Sequence, residues 1–198
     1  LFTAAARRHG EEVAALLARP IPARHVRSWE DLIAIQLRRV SRFYRHNPAD
    51  IWLTVDDVAA APLAKTRALL LSGTALSRGS CAAATIFAAQ QASAASVTTY
   101  LDIDLRPDQW ADPNALRAAL GQLLPQVDVV IGTEEEVYAL LGAAPESVFA
   151  GQRLNPEQRA ELNVVVPIFL AADVERTLIL KRGSHGASVF AAGHAAVD

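Results

Sequence analysis

Asp128-Val129-Val130-Ile131-Gly132-Thr133-Glu134-Glu135-Glu136 is the stretch that decides how this chain folds. Asp128 to Ile131 reads as a short strand buried within a parallel sheet: its apolar residues Val129, Val130 and Ile131 are continuous and end at a glycine. Thr133 then stands three residues before Glu136, the spacing of a capping box, in which a hydroxyl and a carboxylate satisfy each other's backbone N–H groups at a helix start. A strand that runs straight into a capped helix is the β-to-α step of a βαβ unit. That helix is predicted to end near Gly142.

The same rhythm extends in both directions. Toward the C-terminus, Asn155-Pro156-Glu157 caps a further helix, Thr177 to Leu180 reads as a strand, and Ala187 to Ala191 reads as its hairpin-like neighbour after the turn Ser184-His185-Gly186. Toward the N-terminus, Val97 to Leu105 is a strand and Pro113 to about Leu124 a helix. Ser80 to Ala94 is another helix, and Ala68 to Leu71 a buried strand ending in Ser72-Gly73-Thr74. Thr54 before Asp56-Asp57 is a cap within the loop and short helix of residues 48–61. Ile33 to Val40 alternates apolar and polar residues and reads as a half-exposed strand, and residues 9–19 as a helix that stops at Pro20. Strands and helices alternate at intervals of roughly thirty residues, so the expected fold class is α/β, a mostly parallel sheet with helices on both faces.

Composition bounds the function. The 198 residues suffice for one α/β domain, which would bury roughly 70% of its unfolded surface. A net charge of −2 with interspersed signs gives no electrostatic footprint for nucleic acid. The N-terminal arginines (Arg7, Arg8, Arg19, Arg24 and Arg27 among them) are separated by apolar residues and read as solvated faces. No apolar run is long enough to span a bilayer and no signal peptide is discernible, so the expected location is the cytoplasm, with no membrane partner. Cys81 alone forms no internal disulfide and, in a run of small residues, reads as a buried helix residue. His9, His25, His46, His185 and His194 are scattered without metal-ligand spacing, which argues against a metal hydrolase. A dinucleotide-dependent oxidoreductase would need Gly-x-Gly-x-x-Gly after an early strand, and none is found.

Ligands of such sheets bind beyond the carboxyl ends of the strands. Four segments occupy those positions: Ser72-Gly73-Thr74, Asp102 to Pro107, Gly132 to Glu136 and Lys181 to Gly186. They also carry a resemblance. Phe43-Tyr44-Arg45-His46-Asn47-Pro48-Ala49-Asp50 with Leu53-Thr54 is similar to the tyrosine-arginine segment of PfkB kinases acting on keto-acid sugars. Leu71 to Ser77 is similar to a strand-end segment of the same group. Asp102-Ile103-Asp104-Leu105-Arg106-Pro107, with Trp110, resembles its Asp-x-Asn/Asp-x-Arg-x₃-Trp motif. Ile131 to Glu136 resembles the Asn-x-x-Glu motif in the form found in 5-dehydro-2-deoxygluconokinases of inositol breakdown, and Lys181-Arg182-Gly183-Ser184-His185-Gly186 matches a Lys-x-Gly-x-x-Gly nucleotide segment. Their order across residues 33–198 makes the chain similar to the ribokinase-like (PfkB) carbohydrate kinases; residues 1–32 match only loosely.

The resemblance implies ATP and Mg²⁺ as cofactors, with no protein ligand directly on the metal, and a sugar acid as acceptor. The first choice is 5-dehydro-2-deoxygluconate, the second 2-keto-3-deoxygluconate. It implies Tyr44, Arg45 and Arg106 on the substrate side, where a guanidinium offers a planar fork to a carboxylate. It implies Thr133, Glu136, Lys181, Gly183 and Gly186 on the nucleotide and Mg²⁺ side, with residues 33–54 near the substrate and 66–198 forming the α/β core. Glu136 would organise the water shell of Mg²⁺, and the two glycines would let backbone approach the nucleotide. Each also has a plainer reading: surface arginines and a packing tyrosine, a capping box, an ordinary turn. Asp102 and Asp104 are expected to face opposite sides of their strand and are given no catalytic role.

The family's Gly-Ala-Gly-Asp loop, which supplies anion hole and general base, is not found, and neither is its early double-glycine segment. The expectation is therefore a partial kinase domain, residues 1–198, with both natural ends missing and the base lying past the C-terminus. A positioned base alone contributes about 10²–10⁴-fold, so little turnover is expected of this chain by itself. Its bare strand edges favour a homo-oligomer. The alternative reading is a non-catalytic α/β module that binds nucleotide or sugar acid.

Overall fold

The computed structural model describes residues 28–33, 35, 49–172, 176–192 and 194. The chain forms two compact units, Leu1–Ile51 and Trp52–Asp198. In the first, residues 29–33 and 35 are helical. The strand expected from Ile33 therefore begins as helix, and its remainder, like the helix expected over 9–19, lies outside the described residues. The reason is a cap overlooked in the alternation: the Asp31 N–H donates to Ser28 Oγ (3.2 Å) and the Leu32 N–H to the Ser28 carbonyl (3.3 Å). Once a serine closes the first turn in this way, helical geometry outweighs a short run of period two.

The second unit carries a five-stranded sheet in the order β1 (Ala68–Ser72), β2 (Thr98–Asp102), β3 (Val129–Thr133), β4 (Thr177–Lys181), β5 (Ala187–Ala191). The first four strands are parallel and β5 runs antiparallel to β4. Among the described residues six α-helices accompany them: α1 (Val55–Ala59), α2 (Cys81–Ala94), α3 (Pro113–Leu123), α4 (Glu134–Leu141), α5 (Glu146–Phe149) and α6 (Pro156–Ala171). The capping residues legible in the sequence do what their chemistry predicts. Thr54, Thr133 and Asn155 each close a capping box, with Asp57, Glu136 and Gln158 respectively. Asp112 accepts the Ala115 N–H ahead of Pro113 in the first turn of α3.

Because the strands follow one another in a single direction, right-handed crossovers put α2, α3 and α4 on the same face of the sheet. Burial agrees. Leu71, Leu101, Val130, Leu178 and Leu180 are buried, packed into one core with Ala84, Ala88 and Ala89 of α2, Leu116, Leu120 and Leu123 of α3, and Val137 and Tyr138 of α4. Alanines on α2 let that helix lie close against the strands. The residues between them point the other way, and Leu70 is 68% exposed. The sequence predicts a buried strand from Ala68 to Leu71. It stands at the end of the sheet among the described residues, so only its helix-facing side is covered.

Helix α4 is tied to α6 by a polar bridge. Glu161 accepts the Tyr138 hydroxyl (2.8 Å) and the Ala143 N–H (2.6 Å). Burial, and then the bond to the Glu161 carboxylate, raise the Tyr138 pKa, so the phenol remains a donor. Gly142 stands where a Cβ would run into the Tyr138 ring, which is why the helix can stop there against its own aromatic. Cys81 is buried at the start of α2, near Thr85, in keeping with a packing role.

The two faces of the sheet are expected to respond oppositely to truncation. Leu101→Ala, at a position with no exposed surface, should lower unfolding stability by about 2–5 kcal/mol. Leu70→Ala should stay within about 0.5 kcal/mol, both read from urea denaturation midpoints. Equal losses would mean that the face bearing Leu70 is covered.

Candidate functional site

Parallel register brings four strand exits to one edge of the sheet. Ser72 pairs with Asp102, Asp102 with Ile131, and Thr133 with Lys181. The polar segments picked out as strand ends thus stand side by side although more than a hundred residues of chain separate the first from the last. Gly73 makes the tightest of these approaches possible: a Cβ there would collide with the carbonyl oxygen of Ile103. Gly132 sits inside β3 rather than closing it, and a Cβ would come within 2.9 Å of Ile103 Cδ1.

Glu136 joins the exits. Its Oε2 accepts the Thr133 N–H (2.7 Å), its Oε1 accepts the Leu105 N–H (3.0 Å), and its own N–H donates to Thr133 Oγ1 (3.2 Å). Lys181 Nζ lies 3.8 Å from Oε2. The same ammonium donates to both oxygens of Asp102, at 2.9 and 3.2 Å. Asp102, Glu136 and Lys181 therefore form a mixed-charge cluster spanning β2, α4 and β4.

On the other side of β2, Asp104 Oδ2 accepts from Ser72 Oγ (2.9 Å), and the one Thr74 hydroxyl proton is shared between the Asp104 carbonyl (2.5 Å) and Oδ2 (2.9 Å). Asp104 Oδ1 lies 2.7 Å from Arg106 Nη2, and Arg106 Nη1 donates to the Leu105 carbonyl (3.3 Å). Further along α4, Glu134 sits 3.5 Å from both Arg159 and Arg182, and Glu135 lies 3.2 Å from Arg153.

The expected residues are in part brought together. Arg106, Thr133, Glu136 and Lys181 share this edge, linked through Glu136, with Gly183 and Gly186 in the turn directly after Lys181. Tyr44 and Arg45 lie outside the described residues. The turn requires its glycines for backbone reasons: φ is +59° at Gly183 and +85° at Gly186, where a side chain would meet open space but a strained backbone. The Gly186 carbonyl accepts the Arg182 N–H (2.8 Å), and the Gly186 N–H donates back to Gly183 (3.2 Å).

Asp102 and Asp104 do part company, but not by strand alternation, which would put residues two apart on the same face. Strand β2 ends at Asp102, and Asp104 has turned into the left-handed region (φ +42°). One faces Lys181 of β4 while the other faces Ser72 and Thr74 beyond β1. The sequence reading missed those partnerships, since position along a chain does not say which strand will lie alongside. The usable signal was the hydroxyl pair flanking Gly73 at a strand exit.

Size does not mark this edge. A hollow of about 540 Å³ lies at the opposite, amino ends of the strands, lined by Thr98, Asp128 and Arg176 among others. Among the described residues no three His, Cys, Asp or Glu side chains gather as a metal site, and no helix is long and apolar enough to cross a membrane.

Comparison with known proteins places the chain. The family model "pfkB family carbohydrate kinase" matches residues 34–197. The 5-dehydro-2-deoxygluconokinase of Halalkalibacterium halodurans is 34% identical over 93 residues, covering 47% of this chain and 28% of that protein. That of Photobacterium profundum is 29% identical over 147 residues, covering 74% of this chain and 41% of that one. The chain thus spans well under half the length of these relatives. Among solved structures, fructokinase with bound ATP from Xylella fastidiosa aligns with a TM-score of 0.58 at 18% identity, covering 77% of this chain and 44% of that one. The PfkB protein from Polaromonas sp. aligns at 0.54 with 25% identity, covering 77% and 46%. The fold is accordingly the ribokinase-like α/β fold expected from the strand-exit segments, and the chain belongs to the pfkB family of carbohydrate kinases.

Proposed function

We propose that this chain supplies the nucleotide side and part of the sugar side of an ATP-dependent kinase whose acceptor is a sugar acid, 5-dehydro-2-deoxy-D-gluconate. The observation that carries this reading is the row of strand exits in which Arg106, Glu136 and Lys181 stand on one edge, coupled through the Glu136 carboxylate. Phosphoryl transfer asks mainly that two anionic reactants be positioned and their charge balanced. Two cationic side chains held at fixed places on one sheet edge provide that. The naming of the curated relatives favours the acid over a neutral sugar.

Within this reading, Arg106 meets the carboxylate of the sugar acid, and Lys181 with the Gly183–Gly186 turn meets the phosphates. Asp102 holds the Lys181 ammonium at the strand exit, and an incoming phosphate oxygen can share it. Tyr44 and Arg45 are assigned to the same acid by the family resemblance alone. A Mg²⁺ here would be held by phosphate oxygens and water, the usual arrangement for this ion, and would neutralise charge on the phosphates. Glu136 has given one lone pair of each oxygen to a backbone N–H, so its part is to hold Thr133 and Leu105 in place and to accept from a metal-bound water at most.

Titration calorimetry checks this directly. The chain is expected to bind MgADP and 5-dehydro-2-deoxy-D-gluconate at separate sites. Arg106→Ala should weaken only the sugar acid and Lys181→Ala only the nucleotide, each by roughly 10–100-fold, the worth of a charged hydrogen bond. Binding of neither ligand by the unaltered chain overturns the reading. The bracket role of Glu136 has its own measure: Glu136→Ala leaves two partly buried N–H groups without acceptors and should lower stability by about 1–3 kcal/mol. A denaturation midpoint unchanged by that substitution would contradict it.

A further inference from the structure

We propose that Asp104 is a positioning residue that gives this site its preference for an acid, by fixing the Arg106 guanidinium so that its remaining donors face a substrate carboxylate. The inference rests on the reading of Arg106 as the acid's partner.

Asp104 is held more firmly than a surface aspartate needs to be. Its backbone is in the left-handed region (φ +42°), which aspartate tolerates better than most residues but which persists only where the surroundings enforce it. Here Thr74 Oγ1 bonds both its carbonyl and its carboxylate, and Ser72 Oγ bonds the carboxylate again. The anchors come from the exit of β1, so the side chain is aimed by a different strand from the one that carries it.

What it is aimed at is Arg106. Asp104 Oδ1 holds Nη2 at 2.7 Å while the Leu105 carbonyl holds Nη1 at 3.3 Å, and Leu105 is itself pinned by Glu136 through its N–H (3.0 Å). These contacts take two of the five guanidinium donors, and a carboxylate needs two more in a fork. With 46% of the Arg106 side chain exposed, the pair adds little to stability in solvent. Its consequence is orientation: a long side chain that would otherwise sample many rotamers is already arrested before any ligand arrives, which removes an ordering cost from binding.

The opposing possibility has the opposite sign. If Asp104 merely neutralised Arg106, deleting it would strengthen binding of an anion. D-Gluconate and D-glucitol, which differ in a carboxylate against a neutral hydroxymethyl group, separate the cases as probes in titrations on the whole chain. Asp104→Gly keeps the left-handed backbone and removes the carboxylate. It should weaken gluconate roughly tenfold and leave glucitol unchanged. Asp104→Asn, which keeps an acceptor for Arg106, should restore most of the loss, a rescue that a purely structural defect would not give. Circular dichroism and the unfolding midpoint verify that each variant is folded, and Ser72→Ala provides a milder version of the same loss should Asp104→Gly not fold. If Asp104→Gly binds gluconate as well as or better than the parent while Arg106→Ala loses it, Asp104 is a neutralising neighbour; the inference fails and the reading of Arg106 stands. If the parent does not distinguish gluconate from glucitol and Arg106→Ala changes nothing, the reading of the site falls and this inference with it.

Discussion

The arrangement at the strand exits depends on one carboxylate accepting two backbone N–H groups from different parts of the chain. Glu136 closes its own helix through Thr133, as any capping box does, and with its second oxygen holds Leu105, 31 residues earlier. A cap is normally a local device. Here it sets the distance between the loop after β2 and the start of α4, and so between Arg106 on one side and Lys181 on the other. The ion pairs around it are partly exposed and individually weak, whereas a carboxylate accepting from backbone N–H groups away from bulk water is a stronger and more directional contact.

Close approach of backbone to backbone is the second requirement. Gly73 lets the β1 exit lie against the carbonyl of Ile103, which is what brings the Ser72 and Thr74 hydroxyls within reach of Asp104. The core beneath is unremarkable by comparison: leucines from three strands and α3, and a layer of small alanines on α2. Packing fixes the sheet, and the sheet's register then delivers residues distant in sequence to a common edge.

Most of that sheet was legible from sequence because each element announces its own boundary. Thr133 with Glu136, Asn155 before Pro156, and Pro113 in a first turn are local chemistry, and local chemistry survives folding. The reading went astray where a short pattern admitted two periods, at Ile33, and the serine cap at Ser28 decided for a helix. It also went astray on which faces are covered, since alternation shows that a strand has two sides but not what lies on each. At the candidate site, Arg106, Glu136 and Lys181 could be named because their positions after strands are themselves sequence features. That Asp102 would meet Lys181, and Asp104 would meet Ser72 and Thr74, could not be read, because register between strands is a property of the assembled sheet. The family resemblance supplied the chemistry of the residues; the geometry supplied their neighbours.

The strand order has a kinetic meaning. Ala68 pairs with Thr98, Tyr100 with Val129, and Val129 with Thr177, so every strand finds its partner in the next one along the chain. Closing such loops costs entropy that grows only slowly with their length, and among the described strands none must wait for a distant segment before it can dock. Parallel sheets usually fold slowly because their pairings are non-local. This one can grow by accretion, one strand and its helix at a time, each completed pair presenting the template for the next.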